Sequence, residues 1–131
     1  MINQSVNKKS VTILSSQIKD GNMSFSLGGK SVVLENRIKF FEANNLDMGN
    51  LCILDQCHSD TVVKINNSDL GTGSRESGTI KADAMYSNNS NAVLGVLTAD
   101  CMPVIVYSSD SSFIAIAHVG YIGVENKITI K

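Results

Sequence analysis

Two histidines and a cysteine are the residues of this sequence with the clearest capacity for chemistry. The chain has only two histidines, His58 and His118, and Cys101 lies between them in the sequence. Each of the three follows an apolar run that predicts a strand, and ligand groups converge where the strands of a sheet end. Imidazole and thiolate both bind zinc, and three protein ligands leave a fourth position open. The pattern indicates a catalytic zinc site, at which the pKa of a bound water would fall to about 7.

The same residues allow other interpretations, and their spacing alone does not choose between them. The sequence has neither an HExxH nor a CxxC motif. Cys101 could be a small buried apolar residue, or a nucleophile with His118 as its base. Asp100 could orient a histidine or cap a turn. Cys52, inside the apolar run LCIL, is interpreted as a core residue.

The elements that must position these side chains are predicted to be mostly strands. One helix is predicted from a cap at Ser31, on the i, i+3/i+4 spacing of apolar residues up to Leu46. A hairpin is predicted at the start, turning at residues 20–22, and the polar segment 66–79 is predicted to be a flexible loop that could act as a lid. The predicted strands are residues 11–18, 23–27, 51–54, 61–65, 82–86, 92–97, 104–107 and 113–117. The set indicates a single α/β (α+β) domain, residues 1–131, with a mixed β-sheet and few helices.

Composition narrows the class of protein. The chain has 131 residues, 18% charged and 43% hydrophobic, which is typical of one globular domain. A net charge of −1 without a basic stripe argues against nucleic acid as a partner. No apolar run approaches the length of a membrane span, and the N-terminus lacks the apolar core of a signal peptide. We therefore expect a cytoplasmic protein whose three cysteines are free thiols, metal ligands or nucleophiles.

Four segments occur in an order that carries a family resemblance: DQCHS (55–59), KADAMYSN (81–88), LGVLTADCMPVIVY (94–107) and AIAHVGYIG (115–123). Together they resemble the polyphenol-oxidase/laccase-domain family, also described as the YfiH family, whose motifs read Q-V-H-G, A-D-A-L, T-A-D-C-x-P-V and A-H-A-G-W-R-G. LENRIKFF (34–41) is similar to the family's E-N-R helix, and FSLGG (25–29) to a shortened F-S-T-R-x-G-G. The resemblance covers about residues 23–124 and implies a single YfiH-like domain.

The resemblance implies a metal site and a class of substrate. By position, His58, Cys101 and His118 would be the zinc ligands and catalytic residues, with copper as the alternative metal. The implied activities are phosphorolysis of adenosine, inosine, guanosine and methylthioadenosine, and deamination of adenosine, so that the partners are a purine nucleoside and phosphate. Phenol oxidation of the laccase type is the least favoured, because multicopper chemistry needs many histidines and this chain has two.

Departures from the family motifs leave alternatives open. Tyr121 and Ile122 stand where the family has Trp-Arg, the glycine motif lacks its arginine, and the chain has only Arg37 and Arg75 for binding phosphate. The family's C-terminal half is expected to be absent. A non-catalytic zinc-binding member and a Cys–His thiol hydrolase are therefore retained as alternatives. Self-association that covers exposed sheet is a further expectation.

The motifs also keep Gln56, Asp83 and Asp100. Both aspartates are expected to support the metal ligands or to form turns.

Overall fold

The computed structural model describes residues 2–6 and 9–131. These residues include eight β-strands and two α-helices. The helices are α1 (Lys30–Ala43) and α2 (Tyr121–Glu125). The strands are β1 (Ile2–Val6), β2 (Lys9–Ile13), β3 (Leu51–Ile53), β4 (Val62–Lys64), β5 (Ala84–Ser87), β6 (Val93–Gly95), β7 (Met102–Tyr107) and β8 (Ile114–Val119). The predicted fold class, α/β (α+β) with mixed sheet and few helices, is confirmed.

The strands form three sheets among the described residues. β1 pairs with β2 antiparallel, β3 pairs with β6 parallel, and the third sheet has the mixed order β4–β5–β8–β7. In the mixed sheet β4 and β5 are parallel, whereas β8 runs antiparallel to both β5 and β7. Because β3 and β6 are parallel, their carboxyl ends lie at the same edge, and both lead into segments that carry candidate ligands.

The predicted hairpin of residues 11–18 and 23–27 is wrong. β2 ends at Ile13 and pairs with β1, in the register that places Ile2 opposite Ile13. Residues 18–20 form a short 3-10 turn, which Asp20 caps by accepting a hydrogen bond from the N–H of Gln17 at 2.7 Å. Asn22 then makes hydrogen bonds to the backbone of Ser24 in both directions. Local side-chain bonds thus hold this segment in turns, as is common for Asn and Asp.

Helix α1 lies where the apolar spacing predicts it, but it begins one residue before the predicted cap. Gly29 is the N-cap residue, so that Ser31 lies in the first turn. The buried face consists of Val33, Arg37 and Phe41, spaced by four residues. At the other end, Asn44 donates a side-chain hydrogen bond to the Phe40 carbonyl at 2.7 Å.

Arg37 is the one charged residue of this buried face, with 2% of its surface exposed. Its guanidinium donates hydrogen bonds of 2.6–3.0 Å to the carbonyls of Met23, Gly73 and Ser74, and it lies 4.3 Å from the ring centroid of Phe25. Burial lowers the pKa of Arg37 to about 10, which leaves it charged at neutral pH. It therefore joins the 23–25 turn and the 66–79 segment to α1.

Substitution of Arg37 by methionine is expected to lower the free energy of unfolding by about 3 kcal/mol, because it leaves buried carbonyls without donors. Arg75 is the matched control, since it is the only other arginine and is exposed. Arg75→Met should change the free energy by less than about 0.5 kcal/mol in the same urea titration. Equal effects of the two substitutions would contradict this role of Arg37.

The segment 66–79, predicted to be a flexible loop, is held against β3. The N–H of Ile53 donates to the Thr72 carbonyl at 2.9 Å, and the N–H of Gly71 donates to the Leu51 carbonyl at 3.0 Å. Gly73 has a φ of +77°, and a Cβ built there would lie 2.2 Å from the Ile53 carbonyl oxygen. Glycine is required at this close approach, and the segment is part of the packed domain.

No α-helix among residues 2–6 and 9–131 combines the length and the apolar character that crossing a bilayer requires.

Candidate metal centre

The three predicted ligand residues come together in the structure. One ligand atom from each of His58, Cys101 and His118 lies within 4.8 Å of the others. The two imidazole rings meet edge to face, with centroids 4.8 Å apart and an interplanar angle of 82°. His118 is buried, Cys101 is partly exposed and His58 is exposed. The cluster therefore has one firmly packed member and an accessible side.

The strands position these residues somewhat differently from the prediction. His58 lies in the segment that follows β3, as expected. Cys101 was predicted to follow a strand ending at residue 97, but β6 ends at Gly95 and Cys101 lies directly before β7. His118 was predicted to follow a strand, whereas it lies inside β8, paired with Pro103. The cluster consequently joins the β3–β6 sheet to the four-stranded sheet.

Asp83 is the buried acid that organises the cluster, with 0% of its surface exposed. Its Oδ1 accepts a hydrogen bond from the N–H of His58 at 3.0 Å and lies 2.8 Å from Nδ1 of His118. Its Oδ2 accepts from the N–H groups of Cys57 and Ser59, at 3.2 and 2.6 Å, and from the Ser59 hydroxyl at 2.8 Å. One carboxylate thus holds both histidines.

Burial by itself raises the pKa of the Asp83 carboxyl, but hydrogen bonds from His118, Ser59 and Cys57 outweigh this effect and lower the pKa to about 2. The group is therefore a carboxylate at neutral pH, and it accepts the proton on Nδ1 of His118. That bond leaves Nε2 of His118 as the nitrogen able to bind a metal ion, as in carboxylate–histidine–metal arrangements.

The backbone at His58 is left-handed, with φ of +58°. This conformation is uncommon for residues other than glycine. Here it points the N–H groups of residues 57, 58 and 59 at Asp83, and three charge-assisted hydrogen bonds offset its cost. Sequence reasoning kept Asp83 only as a supporting or turn residue, and no local pattern pairs it with residues 57–59.

Asp100, which the sequence offered as a partner for a histidine, is exposed. The carboxylate that contacts His118 is Asp83, which lies 35 positions away in the sequence. Asp83 reaches His118 because β5 and β8 are adjacent: the His118 N–H donates to the Asp83 carbonyl at 2.7 Å. The pairing of strands in the sheet, and not the distance along the sequence, therefore determines which aspartate contacts His118.

Gly120 leaves the space between two of the candidate ligands. A Cβ built on it would lie 3.0 Å from Cδ2 of His58 and 3.4 Å from Sγ of Cys101. Its φ is −86°, so that alanine would be acceptable to the backbone but not to these side chains.

Gly120→Ala is therefore expected to lower metal affinity about tenfold, because overpacking of this kind costs about 1–3 kcal/mol. The exposed His58 ring can move aside in the metal-free chain, so the free energy of unfolding should change little. Gly29→Ala is the control, because a Cβ there meets nothing within 4 Å. Titration of both variants with Zn²⁺ checks the expectation, and unchanged affinity in Gly120→Ala would contradict it.

The donor set suits a metal ion. Two imidazoles and a thiolate are ligands that zinc and copper both accept. The buried Asp83 carboxylate supplies the supporting bond that metal-bound histidines usually make. The separation of the ligand atoms, at most 4.8 Å, is small enough for side-chain rotation of the exposed His58 to bring all three around one ion.

Comparison with known proteins finds relatives of this chain among bacterial proteins. The purine nucleoside phosphorylase YlmD of Bacillus subtilis (strain 168) is 35% identical over 98 residues, covering 73% of this chain and 35% of that protein. A purine nucleoside phosphorylase of Staphylococcus aureus (strain COL) is 33% identical over 98 residues, covering 73% of this chain and 37% of that protein.

Solved structures support the fold. The hypothetical protein YfiH of Bacillus licheniformis has a TM-score of 0.75 at 29% identity, covering 79% of this chain and 40% of that chain. YlmD from Geobacillus stearothermophilus has a TM-score of 0.75 at 24% identity, covering 82% and 41%.

This chain spans 35% to 41% of the length of these relatives. The predicted resemblance to the YfiH family is confirmed, since the sequence model of one family matches residues 5–131. The chain belongs to the family described as multi-copper polyphenol oxidoreductase laccase.

Proposed function

We propose that the chain binds one zinc ion through His58, Cys101 and His118, and that this centre serves purine nucleoside chemistry. The reactions are phosphorolysis of adenosine, inosine, guanosine or methylthioadenosine, and deamination of adenosine. The observation that carries the proposal is the convergence of the three ligand atoms within 4.8 Å beside a buried carboxylate. The names of the relatives support the substrate class.

The residues of the site have distinct roles in this proposal. Asp83 keeps the proton on Nδ1 of His118 and holds the backbone of His58. His58 is exposed, so the ligand cluster is open to a small molecule from that side. When bound, zinc would supply a Lewis acid that polarises groups of a substrate. Copper is the alternative metal for the same donors.

Binding of phosphate depends on which positive groups of this chain are free. Arg37 is buried and donates to backbone carbonyls. Tyr121 and Ile122, at the positions of the family's Trp-Arg, are exposed and carry no charge. Phosphate would therefore bind through backbone N–H groups, a lysine side chain or Arg75.

We further propose that residues 1–131 act as one laccase-type domain and that the protein is cytoplasmic. Cys52, Cys57 and Cys101 are free thiols, which suits a reducing compartment. The proposed partners are small molecules, with no nucleic acid or membrane.

Metal analysis tests the proposal directly. The purified chain should hold one zinc per molecule, and His58→Ala should hold much less. Absence of stoichiometric zinc, with His58→Ala unchanged in metal content, would refute the site. Zinc-loaded chain should then convert inosine to hypoxanthine only with phosphate present, or deaminate adenosine without it.

A non-catalytic zinc protein is the second candidate, favoured by one observation: the ligands join two different sheets. A metal there would cross-link the domain and add binding energy to its stability. Zinc-dependent melting without nucleoside turnover supports this candidate, whereas turnover that Cys101→Ala abolishes supports the enzyme.

A thiol hydrolase is the third candidate, because His118 lies beside Asp83 and in the cluster with Cys101. Its activity would survive a strong chelator and be lost on thiol alkylation.

A further inference from the structure

The side chain of Gln56 forms two hydrogen bonds with the backbone of a residue that is distant in the sequence, Leu97. Its Nε2 donates to the Leu97 carbonyl at 2.8 Å, and its Oε1 accepts from the Leu97 N–H at 2.7 Å. The carboxamide thus uses a donor and an acceptor together, as a peptide group does in a sheet. The two residues are 41 positions apart in the sequence.

This pair extends the contact between β3 and β6 beyond the ends of the strands. The backbone register of these strands ends where Ile53 lies opposite Gly95. Beyond it, the chain at Asp55 turns to form a bridge with Lys81, in a different direction. The side chain of Gln56 replaces the backbone partner that Leu97 would otherwise lack.

Each member of the pair precedes a candidate ligand in the sequence. Gln56 is two residues before His58, and Leu97 is four residues before Cys101. The intervening residues 98–100 are exposed. In the described part of the chain, the Gln56 pair provides the hydrogen bonds that link residues 97–101 to the segment carrying His58.

Asp83 does not make this link. Its side chain bonds to residues 57–59 and to His118, and these contacts set the two histidines relative to each other. β7 holds Cys101 on its C-terminal side, because Met102 lies opposite Val119, next to His118. On its N-terminal side, the Gln56 pair links residues 97–101 to the segment that carries His58.

We propose that Gln56 is a positioning residue that fixes the separation of Cys101 from His58 and so preorganises the metal centre. The inference rests on the proposed zinc site and adds a residue that would not touch the metal. Residues that support metal ligands typically change affinity by about 10–100-fold, and an effect in that range is expected when both hydrogen bonds are removed.

The test compares Gln56→Met with Ser87→Ala. Methionine keeps the approximate length and volume of glutamine but makes neither bond. Ser87 is buried and donates to the Ile65 carbonyl at 2.8 Å, and it lies at the end of β5 away from Asp83. It therefore controls for the loss of a buried hydrogen bond outside the site. Zinc affinity is measured by chelator competition, and the thiolate–cobalt charge-transfer band is recorded with Co²⁺.

The expected result is a 10–100-fold loss of zinc affinity and an altered thiolate–cobalt band in Gln56→Met, with both unchanged in Ser87→Ala. Equal effects in the two variants, or wild-type behaviour in Gln56→Met, would overturn the role of Gln56. Should the methionine variant not fold, Gln56→Ala also removes both hydrogen bonds and should give a loss in the same range, whereas unchanged affinity there would overturn it. A wild-type chain that binds neither metal would instead refute the proposed zinc site, so the two failures are distinguishable.

Discussion

Cys101→Ser is expected to lower the zinc affinity of the chain by more than about 100-fold, because even residues that only support ligands change affinity by 10–100-fold. A serine hydroxyl does not ionise at neutral pH and is a poor ligand for zinc, whereas a cysteine binds as thiolate. The Cys101 thiol is partly exposed and lies in the cluster with both histidines. Its replacement removes one of the three proposed ligands.

Cys57→Ser is the matched control for this measurement. Cys57 is the same residue type, is exposed and precedes His58 directly, but its thiol contacts Asp83 at 3.6 Å and is not a member of the cluster. We expect its zinc affinity and its melting shift with zinc to stay near those of the unsubstituted chain. If the two serine variants lost affinity equally, Cys101 would not be a ligand in its own right. Competition with a chromophoric chelator gives both affinities.

Asp83→Asn is expected to lower the free energy of unfolding of the metal-free chain by about 3 kcal/mol. The carboxylate accepts hydrogen bonds on both oxygens. An amide of the same shape keeps one oxygen, and in either orientation its NH₂ faces at least one backbone N–H of residues 57–59, which cannot accept. Zinc affinity should also fall by at least about tenfold, because His118 loses its orienting partner.

The dependence of the unfolding free energy on acid pH distinguishes the loss of the Asp83 charge from the loss of packing in Asp83→Asn. The folded-state pKa of Asp83 is lowered to about 2, below the ordinary value of 3.8. A lowered pKa stabilises the fold above pH 3.8, and this contribution disappears as the pH falls through about 2. The shift corresponds to about 2 kcal/mol.

The difference in unfolding free energy between the unsubstituted chain and Asp83→Asn should therefore shrink from pH 5 to pH 2, by about 2 kcal/mol. A difference that stayed constant over that range would contradict the role of the charge. Asp110→Asn is the control. Hydroxyl bonds from Ser108 and Ser112 lower the pKa of Asp110 too, but this carboxyl is exposed and screened by water, so its difference should shrink less over the same range. Urea titrations of the metal-free chains at each pH supply the values.

Much of the second half of the fold could be predicted from the sequence. The apolar run at Leu51 forms β3, and the strands predicted near residues 62–64, 84–87, 93–95, 102–107 and 114–119 are all present, with ends shifted by a few residues. These strands are mostly stretches of apolar residues, so local composition is sufficient to identify them, including β7, in which four of six residues are exposed. The beginning of the chain was predicted wrongly, because side-chain bonds from Asp20, Asn22 and Arg37 decide its conformation.

The sequence by itself determined the chemistry available to this protein: two histidines and a cysteine, each near the end of a predicted strand, in motifs that resemble one family. The tertiary structure decided which groups support them. Asp83 rather than Asp100 contacts His118, because β5 and β8 are neighbours in the sheet. Gln56 bonds to Leu97, because β3 and β6 run parallel and separate just before it. Spacing in sequence cannot reveal such partners, since the pairing of distant strands brings them together.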